Sequence, residues 1–339
     1  MITIEQSYPL VTIAILSYNQ EDYIEDAIQG ALLQDYPNLE IIVSDDSSVD
    51  STFDKASKFI SKYDGDHIIR LNKTVSNKCT LAHFFEIIDL ASGEFLILAA
   101  GDDISKPERV SKIVDIWKKN NATAIFSNYQ LIDQYGFKKT DIYSPNQESE
   151  LFKSVFRKAG LIDIHGASSA YDMSFLKKIT KPVGRFFFED TYMTFMLGMY
   201  DKIIFKIDDP LVYYRSHSES ISNSNNSFSS LKEIRSAQKK ASYYAKNKYE
   251  LYILMRNIYY IESSLNKDLL VDASELDRYM NKFMIQSIWI DLSLISMSKY
   301  VLKYRNDKIF LKWILPRVLG LKSFSLLKFI KDTNNRIRF

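Results

Sequence analysis

The apolar residues of this chain fall into short, evenly spaced runs. VTIAIL (11–16), LEIIVS (39–44), HIIRL (67–71), FLILA (95–99) and TAIFS (123–127) begin about 28 residues apart. Each is too short for a typical helix and rich in β-branched or aromatic residues, so each predicts a buried strand. Between the runs, apolar positions recur at helical spacing. Ile24, Ala27, Ile28, Ala31 and Leu32 make one stripe. Phe53, Ala56 and Ile60 make a second, with Asp50 or Ser51 placed to cap it. Leu81, Phe84, Phe85 and Ile88 give a third helix, and Pro107 opens a fourth through Val110, Ile113 and Trp117.

This alternation predicts an α/β fold: a doubly wound, mostly parallel, Rossmann-like sheet with helices on both faces. Such sheets take ligands beyond the carboxyl ends of their strands. Two acidic pairs fall there, Asp45-Asp46 after the second strand and Asp102-Asp103 after the fourth. Solvated turns also favour Asp, so neither pair alone fixes a function.

The second half reads differently. Residues 140–180 have weak periodicity, with SPNQESE (144–150) as a polar loop. FFFEDTYMTFMLGMY (186–200) then predicts a helix, followed by the strand IIFKI (203–207) and the segment DDPLVYYRSHSES (208–220). Residues 220–230 are Ser/Asn-rich and predict a linker. Beyond Leu231 the pattern is helical. Leu251, Leu254, Ile258 and Ile261 form one stripe; Phe283, Ile285, Ile288, Trp289, Leu292 and Ile295 form another. The layout expected is a catalytic domain over 1–222, a linker at 223–230 and a helical region over 231–339.

Composition adds two constraints. With 46% hydrophobic and 25% charged residues, the chain can build a substantial core. Its single cysteine, Cys79, excludes an internal disulfide and points to a reducing compartment. No basic segment precedes an apolar one at the start, and no run reaches the roughly 20 apolar residues that span a bilayer. A cytoplasmic protein, at most resting on the inner face of the plasma membrane, is expected.

Charge changes the picture at the other end. Eleven basic residues lie between Lys299 and Phe339, opposed only by Asp307 and Asp332. That surplus of nine leaves the preceding 298 residues at −7, since the chain totals +2. KIFLKWILPRVLGLKSFSLLKFIKD (308–332) mixes bulky apolar residues with Lys and Arg, and Pro316 divides it. An anionic membrane surface suits such a segment. Packing on the catalytic domain and homodimer formation are the competing expectations. No motif points to nucleic acid.

Five segments, in order, now resemble the family 2 glycosyltransferases. They are PLVTIAILSYNQEDYIEDAI, LEIIVSDDSSVDST, ASGEFLILAAGDDISKPERV, FFFEDTYMTFML and DDPLVYYRSHSESIS, and together they span residues 8–222. The resemblance implies the GT-A fold and an inverting transfer of a hexose or N-acetylhexosamine. The donor is a nucleotide-diphosphate sugar, with UDP favoured, and the acceptor a hydroxyl of a glycan or lipid-linked oligosaccharide. A bacterial surface polysaccharide, such as a capsule or O-antigen, is the product it suggests.

The resemblance also implies roles. Tyr18 stacks on the nucleotide base and Asp46 meets its imide, with Asp45 beside it. The family's Asp-x-Asp-Asp motif reads Ala100-Gly101-Asp102-Asp103 here, so its first carboxylate is missing. Asp102 becomes the direct ligand of Mn²⁺ or Mg²⁺, and Asp103 supports it or touches the ribose. His217 is the candidate for the missing ligand, because neutral imidazole suits Mn²⁺. Arg215 either faces the diphosphate or pairs with an acid. Asp190 is the general base that inversion needs, with Glu189 orienting it or the acceptor. His165 and Gly166 fall where relatives place a loop near the donor sugar.

Two other functions compete. Nucleotidyl transfer usually shows a Gly-rich basic loop after the first strand, and this chain has Ser17-Tyr18-Asn19-Gln20 there. A non-catalytic scaffold or glycan-binding family member would explain Ala100, but it leaves Asp102, Asp190 and His217 without a purpose.

Overall fold

The computed structural model describes residues 8–143, 151–153, 164–217, 231–265 and 273–288. The loop expected at 144–150, the whole Ser/Asn-rich linker, the Trp289, Leu292 and Ile295 part of the second helical stripe and the whole basic tail lie outside these. The chain divides into two compact units, Met1–Asn223 with Ile258–Asp272, and Ser224–Asn257 with Ala273–Phe339.

The first unit opens with the expected alternation. Strands β1 (Val11–Ser17), β2 (Leu39–Asp45), β3 (Ile68–Lys73) and β4 (Phe95–Ala100) alternate with helices α1 (Ile24–Leu32), α2 (Thr52–Ile60) and α3 (Thr80–Leu90). β1 pairs in parallel with β2 on one side and β4 on the other, and β2 pairs in parallel with β3. β1 and β2 are buried along nearly their whole length because helices cover both faces. Alternate side chains therefore serve opposite layers. Ile13, Ile15, Ile41, Val43, Phe95 and Ile97 pack with Ile24, Ile28 and Ala31 of α1. Fully burying each such aliphatic side chain is worth about 1.5–3 kcal/mol. β3 is half-exposed and carries Arg70 and Lys73, charges that discourage edge-to-edge pairing.

After β4 come β5 (Ile104–Ser105), α4 (Arg109–Asn120), β6 (Ala124–Ile132), β7 (Lys138–Tyr143) and β8 (Leu151–Lys153). β9 (Ser169–Asp172), the short α5 (Met173–Leu176), α6 (Glu189–Met199) and β10 (Ile203–Arg215) follow. The sheet order is β3-β2-β1-β4-β9-β6-β10-β5, with β7 on β6 and β8 on β10. β9 inserts antiparallel between β4 and β6, and the short β5, β7 and β8 also pair antiparallel. β10 runs parallel to β6, breaks register at Pro210, and continues as far as β5. That length carries Arg215 and His217 back to the residues just after β4.

In the second unit, α7 (Leu231–Leu265, whose last residues belong to the first unit) meets α8 (Ala273–Ile288). Ser242 Oγ donates to the Ser287 carbonyl, Tyr252 stacks on Phe283 and Arg256 pairs with Asp277 at 2.7 Å. Partner numbers fall as α7 advances, so the helices run antiparallel. The buried residues of α7 include Leu251, Tyr252, Met255 and Ile258, whereas Ile261 is 61% exposed. The stripe expected through Ile261 is thus corrected: the buried face advances by heptad steps from Leu251 to Ile258 and ends there. Among the described residues, no helix is long and apolar enough to cross a membrane.

Candidate active site

Parallel pairing aligns the ends of β1, β2 and β4. Ser17 is level with Asp45, and Leu16 with Ala100. The Asp46 amide donates to the Ser17 carbonyl at 2.8 Å, and the Gly101 amide to that of Leu16 at 2.9 Å. Gly101 is required at this approach. A Cβ there would lie 2.5 Å from Gln20 Oε1 and 2.7 Å from the Ser17 Cβ.

Tyr18 leaves the sheet 46% exposed, an open ring at the rim. The acids behind it are held tightly. Asp45 accepts the Ser48 amide and hydroxyl, with Lys73 at 4.0 Å. Asp46 accepts the Thr74 hydroxyl at 3.1 Å and the Lys78 and Cys79 amides at 2.8 and 3.0 Å. Asp45 is therefore a turn-building residue, and Asp46 organises the loop between β3 and α3. Beneath them His83 bonds Ser44 at 2.7 Å; burial lowers its pKa, against the pull of nearby Asp46.

Around Asp102 the structure joins what the sequence separates by over a hundred positions. His217 Nε2 lies 2.9 Å from Asp102 Oδ2. The His217 ring packs on Tyr23 at 4.8 Å, and the Arg215 guanidinium lies over the same tyrosine. Of the two roles expected for Arg215, the internal ion pair is the one seen. Its side chain donates to the Asp102 carbonyl, the Gln134 carbonyl and Asp26 Oδ2, at 2.8, 3.0 and 2.8 Å, and is nearly fully buried. Its amide donates to Asp103 Oδ1. Asp103 is itself buried, and its Oδ2 has no hydrogen-bond partner. Burial and the neighbouring Asp102 carboxylate push Asp103 well above the ordinary carboxylate range.

Glu189 and Asp190 occupy the first turn of α6, where the helix dipole favours negative charge. Both are half-buried. Asp190 accepts the Thr191 amide at 2.6 Å. Burial, and then the Asp190 carboxylate, push Glu189 up to about 8. Gly166, in the 3₁₀ turn Gly166–Ser168, abuts this pair. A Cβ there would collide with Glu189 Oε1 and sit 3.8 Å from the Asp190 Cβ. Gly166 thus faces the acid pair. His165 stands in ring contact with Tyr129 and Tyr214, at 4.3 and 4.8 Å, and burial brings it down to about 4, leaving a neutral imidazole.

One residue that sequence reasoning missed links these groups. Arg109 is fully buried at the start of α4 and donates to Ser105 Oγ, the Leu98 carbonyl and the Ala167 carbonyl, at 2.9, 2.6 and 3.1 Å. Burial lowers its pKa and the Asp103 charge opposes that. Its signal was available: Arg109 stands four residues before Ile113, on the apolar face of its helix.

Asp102 and His217 supply one carboxylate oxygen and one imidazole nitrogen. No group of three or more His, Cys, Asp or Glu able to hold a metal occurs among the described residues. One carboxylate oxygen and one imidazole nitrogen could hold part of a divalent ion's shell, substrate phosphates and water completing it, once His217 Nε2 gives up the proton it shares with Asp102.

Residues 12–180 match the family model for glycosyl transferase family 2. The chain belongs to that family. Its relatives include an uncharacterized glycosyltransferase of Haemophilus influenzae, 34% identical over 128 residues, which make up 37% of this chain and 38% of that protein. TuaG of Bacillus subtilis, named for teichuronic acid biosynthesis, is 28% identical over 38% of this chain and 50% of its own length. The match thus spans half or less of either relative. Among solved structures, S. aureus TarS 1-349 in complex with UDP-GlcNAc superposes with a TM-score of 0.58 at 15% identity, covering 82% of this chain and 72% of that one. That likeness shows the GT-A fold.

Proposed function

We propose that this family member is an inverting, metal-dependent glycosyltransferase. It moves a hexose or N-acetylhexosamine from a nucleotide-diphosphate donor, UDP-linked, to a hydroxyl of a glycan or lipid-linked glycan. The observation that carries this reading is the 2.9 Å contact of Asp102 with His217 beside the ends of the parallel strands. It supplies a second metal ligand where Ala100 removes the family's usual carboxylate. The family match and the UDP-GlcNAc held by TarS support the donor class.

The resemblance assigns the roles, and the geometry is compatible with them. Tyr18 offers a free ring face to the base. Asp46 uses three of about four acceptor positions on its own loop, leaving one for the base imide. A divalent ion between Asp102 and His217 would offset the charge of the departing diphosphate. Asp103, buried behind Asp102, supports it. Asp190 takes the acceptor's proton. Burial and the neighbouring Asp190 carboxylate raise the Glu189 pKa, which favours an orienting role for Glu189 over that of base. TuaG's name and the basic segment 299–339 favour a surface polysaccharide built on an anionic membrane.

A panel of nucleotide sugars with Mn²⁺ tests this, read as release of nucleoside diphosphate. One donor should be consumed, and EDTA should stop the release. Turnover unchanged in EDTA would remove the metal. No turnover with any donor and acceptor would favour the scaffold reading. For the tail, deleting 299–339 from a chain that stays folded should reduce co-sedimentation with anionic vesicles; undiminished binding would reject the membrane role.

A further inference from the structure

Arg109 is an expensive residue to bury, since a guanidinium removed from water loses several kcal/mol of hydration. A hydrophobic residue of similar volume would often hold the fold as well. What Arg109 does that such a residue cannot is collect acceptors from three separate places. Its two terminal nitrogens reach Leu98 on β4, Ser105 on β5 and Ala167 in the turn before β9. Leu98 lies four residues before Asp102 on the same chain segment. Ser105 pairs with Val212 on β10, three residues before Arg215. Ala167 follows Gly166, whose missing side chain makes room for the carboxyl of Glu189.

We propose that Arg109 is a positioning residue that ties the donor-side carboxylates Asp102 and Asp103 to the acid pair Glu189–Asp190. One planar cation fixes the end of β4 and the turn that seats Glu189. The distance between leaving group and base is thereby set from inside the protein. Lysine could not replace it, because a single ammonium lacks the two-nitrogen fork that reaches acceptors on three separate segments. The inference rests on the transferase reading above, in which these two groups act on one substrate pair.

The experiment compares wild type with Arg109→Lys, Arg109→Met and Gly166→Ala. Each is assayed for thermal melting, for UDP affinity by calorimetry with Mn²⁺, and for transfer with the donor that wild type consumes. A misplacement of about 1 Å costs around 100-fold in rate. Transfer should therefore fall roughly 100-fold in Arg109→Met, with UDP affinity held within about threefold. Arg109→Lys should recover the melting temperature but little of the rate, since it restores charge without the fork. Gly166→Ala keeps Arg109, crowds Glu189 and should show the same split, so the inference stays exposed even if Arg109→Met does not fold. Folded Arg109→Met or Gly166→Ala enzyme with wild-type turnover overturns the positioning role. So does a parallel loss of UDP affinity and rate that Arg109→Lys fully restores, which marks a purely structural cation. A wild type that binds UDP but transfers nothing removes the proposed function instead.

Discussion

Two of the site's acid pairs, Asp45–Asp46 and Glu189–Asp190, are built in opposite ways. On the donor side, Asp45 and Asp46 are nearly saturated with hydrogen bonds from their own turn and from the loop at 74–79. On the acceptor side, Glu189 is crowded, faces Asp190 and a glycine, and is pushed up to about 8. Saturated acids are rigid and fix a ligand's orientation. An acid whose charge is disfavoured by burial and a like-charged neighbour holds its proton more tightly. If the proposed roles hold, recognition and proton transfer rest on different physical footings, and substitutions in the two pairs should fail differently.

The largest effect is expected at Asp190. Loss of a general base costs about 10²–10⁴ in rate. Asp190→Asn should lower kcat by that factor in a transfer assay with the acceptor; turnover near the wild-type level would move the base elsewhere. Next comes Asp46→Ala. It strands the Lys78 and Cys79 amides, each a loss of about 1–3 kcal/mol if left unsatisfied. Both the melting temperature and the UDP affinity should drop, and an unchanged melt would show that the loop does not depend on Asp46. His217→Ala should weaken Mn²⁺-supported UDP binding about tenfold, or 1.4 kcal/mol. If binding measured with and without EDTA changes equally in mutant and wild type, His217 is no ligand.

The smallest effect is one of shape. Glu189 has a higher pKa folded than the ordinary 4.5, so the folded state holds the proton more tightly than the unfolded chain. Between pH 4.5 and about 8 the unfolded state therefore binds fewer protons, and stability falls as pH rises. Glu189→Gln should remove that contribution, so the melting-temperature difference between mutant and wild type should widen in the mutant's favour from pH 5 to 8. A constant difference would mean that Glu189 titrates normally.

Much of the first half was legible because its signals are local. Five apolar runs at regular spacing gave β1, β2, β3, β4 and the start of β6, and both Asp pairs fell at strand ends as parallel topology requires. β5 and β9 were not legible. Two and four residues long, they owe their strand character to partners far along the chain, Val212 for Ser105 and Leu96 for Tyr171. The same long-range dependence left the partners of Arg215 unnamed: pairing with an acid was one of two expectations, and the acid is Asp26, with the Gln134 carbonyl beside it. Asp102 with His217 was anticipated through the family motif rather than through any local pattern. The close approach of Gly166 to Glu189 was not legible either: the sequence reading placed Gly166 only near the donor sugar.

The division between recognition and proton transfer is tested most directly by titrating UDP, with Mn²⁺ present, into wild type, Asp46→Asn and Asp190→Asn. Asp46→Asn turns one of the two oxygens that accept the Lys78 and Cys79 amides into a donor and removes the carboxylate proposed to meet the base, so its Kd should rise about tenfold or more. Asp190→Asn should bind UDP within about threefold of wild type while its transfer rate collapses. The reverse pattern, with weakened UDP binding in Asp190→Asn and normal binding in Asp46→Asn, would contradict it.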